Sequence, residues 1–106
     1  MDDFTVLIAD PNPDDLDSFK KKLEQNSFEV VTAKSEEECY SHSDYYDVGI
    51  YIIESVFPDA EPLNLCRYLR KRNYNQPVQI IVISEKNSVT NITTVVEAGG
   101  DDFIAK

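Results

Sequence analysis

The sequence predicts an α/β fold, a doubly wound parallel sheet of five strands with helices on both faces. Short apolar runs rich in β-branched residues recur along the chain, and stretches with helical apolar spacing separate them. Each separating stretch is long enough for a crossover, so consecutive strands run parallel with right-handed connections. At 106 residues the chain forms one domain, residues 1–106, with room for its own core.

The elements follow in order. Residues 4–9 are a first strand ending at Asp10. Asn12 then caps a helix with Pro13 at its first position, and Asp14 and Asp15 suit the positive helix start. Leu16, Phe19 and Leu23 form its apolar face. Residues 28–33 return as a strand, and Ser35 with Glu38 has the spacing of a capping box for a second helix ending between Ser41 and Asp44. Tyr45, Tyr46 and Tyr51 are expected to pack against the next helix. Residues 49–54 form the central strand, an apolar run buried on both faces that stops at Glu54. A loop carrying Pro58 and Pro62 leads to a third helix, residues 63–72, with Leu65, Tyr68 and Leu69 inward and Arg67, Arg70, Lys71 and Arg72 outward. Residues 78–83 make the fourth strand, ending at Ser84. Residues 89–98 have Val89, Ile92 and Val96 at helical spacing but low helix propensity. Gly99 and Gly100 stop that helix, and residues 102–105 form a fifth strand ending at Lys106.

Composition narrows the function classes. Twenty acidic side chains against ten basic ones give a formal net charge of −10, which opposes nucleic acid and anionic membrane as direct partners. Cys39 and Cys66 have neither metal nor redox-motif spacing and read as free thiols of a reducing cytosol. With no apolar run of transmembrane length and no signal pattern, a cytoplasmic location is expected.

In an open parallel sheet the strands' carboxyl ends share one edge, where ligands bind. Asp10, Glu54, Ser84 and Lys106 fall on that edge. The turn after the first strand has no glycine, so dinucleotide, P-loop and flavin-phosphate sites are excluded. His42 is the only histidine, and no Gly-x-Ser-x-Gly elbow occurs, so a Cys/His metal site and a serine hydrolase are excluded too.

These residues resemble the receiver domain of two-component response regulators along the whole chain. The likeness rests on Val6-Leu7-Ile8-Ala9-Asp10 followed by Asn12-Pro13-Asp14-Asp15-Leu16, on a strand ending at Glu54 with Pro58 beyond it, on Ile83-Ser84, and on Gly99-Gly100-Asp101-Asp102-Phe103-Ile104-Ala105-Lys106. It implies a flavodoxin-like (CheY-like) sheet in the order 2-1-3-4-5. It also implies that Asp10 occupies the acidic-pocket, metal-binding position and Glu54 the phosphoacceptor position. Ser84 and Lys106 take the places that bind phosphoryl oxygens, and Phe103 that of the switch aromatic. Two departures stand out. The second acidic position is Pro11, and the acceptor is Glu54 where the family has Asp; Pro62 also replaces a family glycine. Glu54 carries its carboxylate one methylene farther out, and a misplacement of about 1 Å can cost on the order of 100-fold in rate. With Pro11, only Asp10, Glu54 and the Val56 carbonyl remain for Mg²⁺, which usually takes carboxylates, waters and phosphate in an octahedron.

The expectation is a degenerate pseudo-receiver, not an enzyme and without cofactor, that works by protein–protein interaction without phosphorylation. In it Glu54 pairs with Lys106 and accepts a hydrogen bond from Ser84. The alternative is an active receiver taking a phosphoryl group from a histidine kinase with Mg²⁺, on Glu54 or a neighbour such as Asp59. The resemblance implies a protein partner or output domain at the face of the fourth helix and fifth strand. The chain stops where the family continues into a fifth helix, so apolar surface near strands one and five, and self-association through it, are expected.

Overall fold

The structure, a computed structural model, describes residues 4–58, 60–85 and 89–106. Its elements are β1 (Thr5–Ala9), α1 (Pro13–Glu24), β2 (Val30–Ala33), α2 (Glu36–Tyr45), β3 (Val48–Glu54), α3 (Asn64–Arg72), β4 (Gln79–Ser84), α4 (Ile92–Glu97) and β5 (Asp102–Ala105). All five strands are parallel in the order β2-β1-β3-β4-β5, the flavodoxin-like arrangement expected, with four helices among the described residues. Period-two alternation divides the core between the two faces. Leu7, Ala9, Tyr51, Ile53, Ile80 and Val82 meet α2, α3 and α4, whereas Val6 and Ile8 meet Leu16, Phe19 and Leu23 of α1.

Local chemistry explains the helix starts. Asn12 Oδ1 accepts from the Asp14 N–H at 2.9 Å and the Asp15 N–H at 3.3 Å, behind Pro13 at the first helical position. Ser35 Oγ accepts from the Glu38 N–H, but Glu38 returns its carboxylate to the Lys34 N–H at 2.7 Å, one residue before the cap. The box is therefore displaced by one residue at its second half. Leu63 lies outside α3, as an N-cap with φ 64° and ψ 12° and no side-chain cap bond. Its left-handed backbone is unusual for a branched residue and is held by its burial and by its N–H donating to the Ser55 carbonyl at 2.8 Å. That bond closes the loop from β3 and places Ser55 beside the sheet edge.

Several sequence expectations need correction. β2 starts at Val30, because Ser27 turns the chain at φ 69° and the Phe28 N–H is spent on the Leu23 carbonyl, capping α1. α2 runs on to Tyr45, whose ring is exposed. The aromatic contact between α2 and α3 is instead Tyr40 with Tyr68, ring centroids 4.1 Å apart, which leaves Tyr68 partly exposed at that seam. Arg70 and Arg72 are not simply solvated. Arg72 pairs with Asp44, and Arg70 donates to the Gly99 carbonyl at 2.8 Å and to Asp101 Oδ2 at 2.6 Å.

The largest correction concerns α4. Asn91 caps it in a reciprocal box with Thr94, so the helix begins at Ile92, and Val95 is its buried residue. Val89, Ile92 and Val96, the apolar residues at helical spacing, are 87%, 48% and 56% exposed. The phase is set by Gly100, where an added Cβ would lie 2.5 Å from Val95 Cγ1, so Val95 drops into the space the missing side chain leaves. The uncovered part of the sheet is likewise not near β1, whose Val6 to Ala9 are buried. On the α1 face it lies over the β3–β5 half, where Ile50, Ile52 and Ile81 are half-buried and Ile104 is 52% exposed.

Candidate functional site

The carboxyl ends of β1, β3 and β4 and the residue after β5 converge on a crevice of about 200 Å³, lined by Asp10, Pro11, Glu54, Ser55, Ser84 and Lys106 among others. The Lys106 N–H donates to the Ser84 carbonyl at 2.7 Å, continuing the ladder by one residue and aiming the side chain over the edge. Asp10 is held by the Ala33 carbonyl through its own N–H, and its Oδ1 accepts from the Asn12 N–H at 2.9 Å.

The centre of the crevice is the Lys106 ammonium. Nζ lies 2.8 Å from Asp10 Oδ2, 2.7 Å from Asp15 Oδ2 and 2.7 Å from Glu54 Oε1, with Glu85 Oε1 farther at 3.6 Å. An ammonium has three N–H donors, so the three near carboxylates use them all. Burial alone would lower the Lys106 pKa, but the hydrogen bonds to Asp10, Asp15 and Glu54 outweigh it and hold the ammonium above its ordinary value. One ammonium cannot compensate three carboxylates. Asp10, 1% exposed, is pushed up from its ordinary value by burial, against the opposing hydrogen bonds from Lys106 and the Asn12 N–H.

Glu54 is 7% exposed, and its second oxygen is engaged as well. Oε2 accepts from the Ser55 N–H at 2.8 Å and the Ser55 hydroxyl at 3.0 Å, with the Val56 N–H at 3.4 Å. Ser84 does not bond Glu54 directly as expected; its Oγ is 2.9 Å from Ser55 Oγ. Ser55 occupies the place because it follows Glu54 in the chain and its backbone already faces that oxygen. Phe103 does not line the crevice. It sits in register with Val82, half-buried against the α2–α4 core. Asp59, the other acceptor considered, lies outside the described residues.

The structure brings Asp10, Glu54, Ser84 and Lys106, named from the sequence, together in one crevice, and adds Asp15 and Ser55, which the sequence reading did not name as site residues. Asp15 stands five residues after Asp10, one helical turn into α1, and its match to the helix dipole was a sufficient local explanation. Ser55 stands at the start of the loop that carries Pro58 and Pro62, yet it is 3% exposed.

This fold and edge geometry define a signalling receiver, and the family model for the response regulator receiver domain matches residues 6–106. The chain belongs to that family. It is 30% identical over 102 residues to the response regulator GtcR of Aneurinibacillus migulanus, covering 96% of this chain and 41% of that protein. It is 26% identical over 102 residues to the heme response regulator HssR of Staphylococcus saprophyticus, covering 96% and 44%. The chain thus spans less than half the length of these curated relatives. Among solved structures it superposes on FixJ-N with a TM-score of 0.83 at 27% identity, covering all of this chain and 83% of that one. The receiver domain of the Francisella response regulator 1452 gives 0.83 at 25%, covering 98% and 84%. Among the described residues no helix is long and apolar enough to cross a membrane.

Proposed function

We propose that this receiver is degenerate and signals without phosphorylation, through protein–protein contacts, with Glu54 as a resident negative charge. One observation carries the reading: all four carboxylate oxygens of Asp10 and Glu54 already have partners within the chain. Phosphoryl transfer depends on a free, aligned acceptor oxygen and on metal charge. Here the acceptor oxygens face an ammonium and a serine, and the ammonium stands between the two carboxylates that Mg²⁺ would need. Pro11 adds no ligand, and Mg²⁺ would have to displace the ammonium from both carboxylates before waters could complete its octahedron. With the ammonium in that place the donor set is read as not holding Mg²⁺, and the domain as working without a cofactor.

The contact surface is read as the α4–β5 face, where Val89, Ile92 and Val96 are exposed. Phe103 lies just beneath and is read as the residue that would register a change there. The partner is a protein or an output domain, in keeping with relatives more than twice this length. The net charge disfavours nucleic acid and anionic membrane, and the two buried free thiols suit the cytoplasm. Incubation with acetyl phosphate and Mg²⁺, followed by intact mass under conditions that keep acyl phosphates, should show no added phosphate. A stoichiometric adduct on Glu54 or Asp59 would establish the active receiver instead.

A further inference from the structure

We infer that Asp15 is a positioning residue that supplies, from the first turn of α1, the carboxylate that Pro11 cannot, and so completes the cage around the Lys106 ammonium. Three observations support it independently of what the crevice signals. The Asp15 carboxylate is 2.7 Å from Nζ, as close as Glu54, although it arises five residues beyond Asp10 in the sequence. Pro11 lines the same crevice with a side chain that neither accepts nor donates. Asp14, the neighbour in the same helical turn, is exposed, whereas Asp15 is drawn partly under cover, its side chain 34% exposed.

The geometry follows from the cap. Asn12 holds both the Asp14 and Asp15 N–H groups, so the first turn is fixed and Asp15 projects toward the edge where β5 ends. The ammonium is then gripped from β1 by Asp10, from α1 by Asp15 and from β3 by Glu54. A two-carboxylate cage would leave one N–H free to follow a solvent molecule or an incoming oxyanion. With Asp15 in place none is free, and α1 is tied to the strand end after which Lys106 stands.

The inference extends the reading of the crevice as self-satisfied, and its test is separable from it. The measurement is the hydrogen exchange of the Lys106 side-chain ammonium, followed by ¹⁵N NMR in the intact chain. Asp14→Asn and Asp15→Asn change the charge at the helix start equally, so a role in the helix alone affects both alike. Asp15→Asn is expected to speed Lys106 exchange by roughly threefold, the size of one partly exposed ion pair, and Asp14→Asn to leave it unchanged. Pro11→Asp combined with Asp15→Asn should return exchange to the starting rate. Equal effects of the two single variants, no effect of Asp15→Asn, or failure of Pro11→Asp to restore the rate would each overturn the inference. A phosphate adduct on the unmodified protein bears on the proposed function alone and leaves the comparison of variants intact.

Discussion

At the scale of single residues, the unequal count of charges around Lys106 decides what substitution does. Lys106→Met leaves Asp10 and Glu54 buried with no counter-charge, and breaking a buried pair from one side costs ~3–5 kcal/mol. Glu54→Gln removes one of three acceptors and also one of three mutually repelling charges and leaves no buried charge uncompensated, so its expected cost is well below that of Lys106→Met. Urea denaturation of both variants should show this asymmetry; equal losses would mean that Glu54, not Lys106, organises the crevice. The pH dependence has a definite sign. The Lys106 pKa is raised in the folded state above its ordinary 10.5, so its contribution is fully present below that pH and is lost as the pH rises through the folded value. The unmodified protein should thus lose stability on alkaline titration by an increment that Lys106→Met lacks. Asp10, Glu54 and Lys106 were legible because strand ends share an edge whatever the side-chain details. Ser55 and Asp15 were not, since each had an adequate local explanation and only tertiary placement distinguishes a helix-start carboxylate from one that reaches across to β5.

At the scale of elements, α4 is the weakest part of the frame. It has six residues, mostly β-branched, and among them Val95 is buried. Its position depends on the turn that follows. Arg70 of α3 grips the Gly99 carbonyl and Asp101, and Asp101 Oδ2 also accepts from the Ile80 N–H at 2.8 Å. Gly99, at φ 97°, permits this turn, and a Cβ there would lie 2.6 Å from Arg70 Cβ. Asp101→Ala leaves a backbone donor of β4 without its acceptor, at an expected cost of ~1–3 kcal/mol. It should also speed amide exchange in α4 more than in β1 or β3; a uniform increase would show that the turn does not anchor α4. The helix was legible in the sequence, but its inward face was not. Val89, Ile92 and Val96 have helical spacing, and the true phase depends on Gly100 making room for Val95 and on the Asn91 cap. Neither is visible in apolar periodicity.

At the scale of the whole molecule, the alternation of apolar runs and amphipathic stretches was enough to give the element order, and the strand order came with the family resemblance. The distribution of cover was harder to read. One helix covers β2 and β1 on its face, and the β3–β5 half shows Ile50, Ile52, Ile81 and Ile104 to solvent in part. Exposed contiguous apolar surface of this kind favours association. Sedimentation velocity on residues 1–106 should therefore show concentration-dependent self-association that Ile104→Lys weakens; a monomer at all concentrations would mean that this surface is too small or too polar at its margins. The central claim, however, is that the crevice is already satisfied by its own charges. The most direct measurement is a titration with Mg²⁺ and beryllofluoride, a phosphoryl mimic, followed by the amide NMR signals of Asp10, Glu54, Ser84 and Lys106 together with the melting temperature. The account predicts no saturable change in either. A saturable, Mg²⁺-dependent shift of those signals with a rise in melting temperature would contradict it.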